Sequence, residues 1–185
     1  GSLDVSLSSS TPAAAEVPAL SSGLPVAKFE FSAGSSDVTV SSVKLLRKGF
    51  SDASTLQGVA LVADTGRVSK ARDENSTDGT VDLTLNNGGY VVKANSTVVF
   101  TVVATVGDDT NASDTFGFQV VNVTSTAEST NVTSAISPLM RVSSQEAPTV
   151  DFEANGSSSD VKMGQNAAEV AKFKITNNNS DQTVT

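Results

Sequence analysis

Val26-Ala27-Lys28-Phe29-Glu30-Phe31 alternates apolar and polar side chains, and nearly the same segment returns as Val170-Ala171-Lys172-Phe173-Lys174-Ile175. A period of two puts Ala27, Phe29 and Phe31 on one face of a β-strand and Lys28 and Glu30 on the other. The likeness continues through Ser36-Asp37-Val38-Thr39-Val40-Ser41, which is matched by Ser180-Asp181-Gln182-Thr183-Val184-Thr185. At a constant offset of 144, eight of the sixteen aligned positions in 26–41 are identical. Similarity at a fixed, domain-sized spacing predicts an array of like domains. The segment thus predicts both a sheet and its repetition.

Working outward, the same alternation recurs. Leu3-Asp4-Val5-Ser6-Leu7 reads as a first strand, and residues 8–24, rich in Ser, Ala and Pro, as an irregular crossing. Val38, Val40, Val43 and Leu45 mark a strand after the Gly34-Ser35-Ser36-Asp37 turn. Residues 56–63 form another, ended by Asp64-Thr65-Gly66, where Asp bonds its own backbone and Gly accepts positive φ. Residues 67–71 are expected to resume extended. Val81, Leu83 and Leu85 alternate up to the Asn86-Asn87-Gly88-Gly89 turn. The longest strand spans 96–106, with Val98, Phe100, Val102, Ala104 and Val106 on one face. A strand over 116–123 follows, and Met140-Arg141-Val142 closes the domain. Helical character is confined to a turn or two at 13–20 and 165–170. About nine short strands separated by turn residues predict an antiparallel β-sandwich.

Composition agrees. Of 185 residues, 28 are Ser and 20 are Thr, and only 17% are charged. Val and Thr are β-branched and suit a pleated sheet. A net charge of −8 repels phosphate backbones and anionic membranes, so no nucleic-acid partner is expected. No stretch of 18 apolar residues predicts insertion in a bilayer. Cysteine and histidine are both absent, which removes disulfides, thiolate metal sites and the commonest general base. Without a base to support a Ser nucleophile, no enzyme is expected. Gly1-Ser2 has the look of a tag-cleavage scar.

The repeat also predicts boundaries. Val150-Asp151-Phe152-Glu153 resembles Leu3-Asp4-Val5-Ser6 at an offset of 147. A β-sandwich is expected over residues 3–142, a linker over 143–149, and the truncated start of a second repeat over 150–185. The Ala-x-Phe-x-Phe strand, the Ser-Asp-Val-Thr-Val strand, the Leu-x-Gly-Val-x-Leu-x-x-Asp-x-Gly hairpin and the Val-x-Phe-x-Val-x-Ala strand together resemble the immunoglobulin-like repeats of prokaryotic surface-layer proteins and adhesins. The Cys-Trp-Cys core of antibody domains is missing. The resemblance implies an immunoglobulin-like fold, a scaffold role and no transferable catalytic residues.

Acidic loops are the chemical candidates. Asp108, Asp109, Asn111 and Asp114 offer hard oxygen ligands within one loop, the type Ca²⁺ takes. Asp73, Glu74, Asn75 and Asp78 form a second cluster, and Asp151, Glu153 and Asp160 a third. None has EF-hand spacing, and the competing reading is a solvated turn. Asn-x-Ser/Thr acceptor motifs fall at Asn75, Asn95, Asn111, Asn122, Asn131, Asn155 and Asn178, with Asn122 expected to be structural. Phe29, Phe31, Phe100, Phe116 and Phe118 are expected in the core, and with no Trp and one Tyr a sugar-stacking face is not. Lys28 or Lys44 beside an Asn is weighed as an isopeptide crosslink against an exposed strand lysine, and the latter is preferred.

The resulting expectation is a non-enzymatic structural module of a repetitive extracellular cell-surface protein, a surface layer or filamentous adhesin. Its partners would be neighbouring repeats or other copies of itself, with Ca²⁺ as the one candidate cofactor. The alternatives are a fibre subunit joined by β-strand exchange and a calcium-stabilised, ligand-binding adhesive module.

Overall fold

A computed structural model describes residues 1–108, 111–133, 135–146, 149–153 and 172–176, with 144–146, 149–153 and 172–176 given by their backbone. The protein is all-β, and two 3₁₀ turns, Ala53–Thr55 and Asn86–Gly88, are the helical elements among the described residues. The chain divides into two units, Gly1–Ser144 and Gln145–Thr185.

The strands of the first unit are β1 (Ser2–Leu7), β2 (Glu16–Ala19), β3 (Leu24–Ala33), β4 (Val38–Lys48), β5 (Leu56–Ala63), β6 (Gly66–Arg67), β7 (Thr80–Thr84), β8 (Tyr90–Val92), β9 (Thr97–Val106), β10 (Thr115–Ser125), β11 (Ser129–Val132) and β12 (Met140–Glu146). One sheet has the order β11-β1-β3-β9-β5-β6, and the other β2-β12-β10-β4-β7, with β8 also on β4. Strands β7 and β8 lie in tandem along one side of β4, at Ser42–Leu46 and Val38–Val40, interrupted by the Asn86–Gly89 turn.

The inward faces of both sheets share one apolar core in a sandwich-like arrangement. β9 buries Phe100, Val102, Ala104 and Val106, as its period of two dictates. In β3 a bulge between Pro25 and Ala27 adds one residue, so Val26 and Ala27 are both buried. The Phe31 and Phe100 rings meet edge to face at 4.7 Å, and Tyr90 caps Phe100 at 5.2 Å. Phe29, Phe116 and Phe118 are also buried, so the five phenylalanines expected inside are core.

Three expectations need correction. The sandwich is not wholly antiparallel, because β1 pairs with β11 in parallel, Leu3 opposite Thr130 and Val5 opposite Val132. Residues 126–128 carry the chain from β10 in one sheet to β11 in the other, and that crossing lets β11 run alongside β1. Residues 8–24 are not simply a crossing, since β2 forms within them on the edge of the second sheet, where Pro18 costs no ladder bond. Residues 67–71 are extended only at Gly66–Arg67. Beyond it the chain makes single bridges, Ser69 to Leu85 and Arg72 to Val59.

The second unit contains β13 (Thr149–Glu153) antiparallel to β14 (Lys172–Thr176). Val150 stands opposite Ile175 and Phe152 opposite Phe173. In the first unit Val5 stands opposite Phe31 and Leu7 opposite Phe29. The pairing therefore equates Val150 with Val5, an offset of 145 for the first strand of each pair rather than 147. Residues 160 and 165–170 lie outside the described residues, as do the acceptor motifs at Asn155 and Asn178.

Candidate functional site

One end of the first unit carries an open trough of about 680 Å³, walled by three loops: residues 47–53 leaving β4, 74–79 preceding β7, and 111–114 preceding β10. Two of the acidic clusters distinguished by sequence thus face the same depression.

The β4 wall is fixed by glycine geometry. Gly49 adopts φ +108, and a Cβ there would sit 2.2 Å from the Thr115 carbonyl oxygen. Only glycine permits that approach. The Phe50 amide then donates to Thr115 Oγ1 at 2.9 Å, and the Thr115 amide donates to the Phe50 carbonyl at 2.8 Å. Both backbone groups of Phe50 are tied down, yet its side chain points outward and the residue is 90% exposed.

Beneath the trough Arg47 donates through Nε to Glu74 and through Nη1 to Ser51 Oγ at 2.7 Å. The Glu74 side chain is 1% exposed and that of Arg47 13%, so the pair is a largely buried ion pair that pins the 74–79 loop to β4. Around it Asn75 Oδ1 accepts the Thr77 amide, and Asp78 Oδ1 accepts both the amide and the hydroxyl of Thr80. Those two Thr80 hydrogen bonds hold the Asp78 carboxyl below the usual carboxylate value of 3.8. Polar side chains here satisfy local backbone donors, as turn chemistry requires.

Of the four candidate cation ligands, Asp108, Asn111 and Asp114 lie among the described residues. Asp114 is buried, and its Oδ2 accepts the Thr55 hydroxyl at 3.0 Å and the Asn111 amide at 3.1 Å. Asp108 instead accepts from Gln57 Nε2 at 3.3 Å. Asn111 is exposed on the trough wall, and Asp109 lies outside the described residues. Among the described residues no group of three carboxylates stands close enough to hold a metal ion. Of the third cluster, Asp151 and Glu153 are placed by backbone alone, opposite Lys174 and Lys172.

Lys44 lies opposite Asn122 of β10 and Asp82 of β7. Its amine is 3.3 Å from Asp82 Oδ2, with the two side chains 38% and 68% exposed. That ion pair directs the Lys44 amine toward β7, on the side of β4 away from β10 and Asn122. Lys28 has Ser8, not Asn, at its backbone. Asn122 lies in β10, the strand expected for it, and is exposed because the bulge between Val120 and Asn122 turns it outward. Asn75, Asn95, Asn111 and Asn131 are exposed too.

Sequence reasoning missed Phe50 as a surface residue. The signal was there in Gly49, which fixes the turn, and in the break of alternation after Leu45. No helix among the described residues is long and apolar enough to cross a membrane. The chain matches no protein-family model and no curated protein sequence.

Proposed function

We propose that this chain is a non-enzymatic structural module, an immunoglobulin-like repeat of an extracellular cell-surface protein of the surface-layer or filamentous-adhesin type. The observation that supports this reading is that β14, which contains the repeated Lys172–Thr176, pairs antiparallel with β13 as β3 pairs with β1, although two residues away from the register that the sequence match predicts. A string of such units transmits load through strands while each unit keeps its own core. The acidic composition suits a crowded exterior lattice. The partners are neighbouring repeats or other copies of the chain, and Ca²⁺ taken by Asp108, Asp109, Asn111 and Asp114 would stiffen the module.

Single-molecule force spectroscopy on a tandem of residues 1–144 tests the reading. Expected is a sawtooth of discrete peaks spaced by about 50 nm, the extended length of one unit. Extension without resolvable peaks would remove the mechanical role. One observation favours a second reading, assembly by strand exchange: among the described residues β13 and β14 form a sheet of only two strands, and outer edges of such a sheet accept further strands. A concentration-dependent polymer that is lost on deleting residues 145–185 would support it.

A further inference from the structure

We propose that the trough beside Phe50 is a binding site for a neutral, hydroxyl-rich saccharide. Phe50 is the decisive group. An aromatic ring exposed to this extent on an unconstrained loop would be unremarkable, but here Gly49 and the two Thr115 hydrogen bonds hold its backbone rigid. The ring is presented to solvent on a fixed mount, and such preorganisation lowers the ordering cost of binding.

The surrounding chemistry selects the ligand. Sugars present an apolar C–H face, which packs on an aromatic ring, and a rim of hydroxyls, which need donors and acceptors together. The Asp52 carboxylate does not cap the 3₁₀ turn that follows it, and the exposed Asn111 lies on the trough wall. Both are available to hydroxyls. An anionic ligand is disfavoured, because the Arg47 charge is already met by Glu74 while Asp52 and Asp78 remain on the walls. A bare divalent ion gains nothing from the ring, and Asp78 is already engaged with Thr80. The volume of about 680 Å³ falls in the range of small-molecule sites, about 300–1,000 Å³. A module in a surface array would thereby hold on to a glycan chain as well as to its neighbours.

Amide chemical-shift titration of the whole chain with cellotetraose, chitotriose and mannotriose tests this. Expected are saturable shifts with at least one sugar at millimolar concentration, confined to residues 49–53, 76–79 and 111–114. Phe50→Ala should weaken that binding by about tenfold or more with an unchanged melting temperature, and Phe50→Trp should restore or tighten it. No saturable shift with any of the three sugars would overturn the proposal. So would shifts indifferent to Phe50→Ala, or saturation of the same amides by Ca²⁺ while the sugars stay silent. Any of these results leaves the repeat-module reading standing, since that reading is judged by force response.

Discussion

Arg47 and Glu74 illustrate how much a single pair of side chains fixes here. Removing one partner of a buried ion pair strands the other charge in a poorly solvated site, at a cost of about 3–5 kcal/mol. Glu74→Ala is therefore expected to lower stability by about 3 kcal/mol in urea denaturation, allowing for the slight exposure of Arg47, and to release the loop before β7. Replacing both residues with apolar ones should recover most of that loss. Gly49→Ala forces a side chain into the left-handed region and against the Thr115 carbonyl. A loss of at least about 2 kcal/mol is expected by the same assay. Acid sensitivity is also local. Asp37 accepts from Lys93 Nζ at 2.9 Å and from the Ala94 amide at 2.8 Å. The Lys93 hydrogen bond, and then that of Ala94, hold its carboxyl below 3.8. A depressed folded-state value means that the unfolded chain binds the proton more readily, so this stabilisation is intact above pH 3.8 and lost as pH falls below it. Asp37→Asn should flatten the acid limb of a urea-midpoint profile. A limb as steep as that of the parent would assign the acid loss to other carboxylates.

At the scale of elements, the long strands were legible and the short edge strands were not. β3, β4, β9 and β10 alternate because one face is sealed in the core and the other is wet, so burial writes the period into the sequence. β11, Ser-Thr-Asn-Val, is exposed at three of its four positions, and nothing selects alternation there. β2 carries Pro18 and follows a run of alanines, which mimics irregular chain. β8 is three residues long, too short for a period to show. The candidate site was half legible. The Asp and Asn turn positions could be read, but their convergence on one trough is a matter of sheet order, and Phe50 falls outside the alternating strands that identified the core phenylalanines. The core strands carry the stability. Phe100 is fully buried and touches both Phe31 and Tyr90, so Phe100→Ala is expected to cost about 3–5 kcal/mol. Thermal denaturation followed by circular dichroism would read it, and a shift of only a few degrees would mean that the cavity collapses.

At the scale of the whole molecule the chain divides into a first unit, residues 1–144, and a second, residues 145–185. Residues 1–144 contain both six-stranded sheets and the shared core. That fragment alone is expected to unfold in one cooperative transition in urea. A gradual, non-cooperative loss of signal would show that it is not a folding unit.

In an array such as the one proposed, the like pairing of β1 with β3 and of β13 with β14 carries a hazard for folding. Wherever such units adjoin, the first strand of one meets a register-compatible partner in the next, with Phe31 and Ile175 interchangeable opposite a valine. A nascent string can therefore close a swapped pair across a joint before the proper one forms. Divergence is the available safeguard, and half of the aligned positions in 26–41 have already diverged. Repeated stretching and relaxation of a tandem would count the errors, as peaks twice the usual spacing.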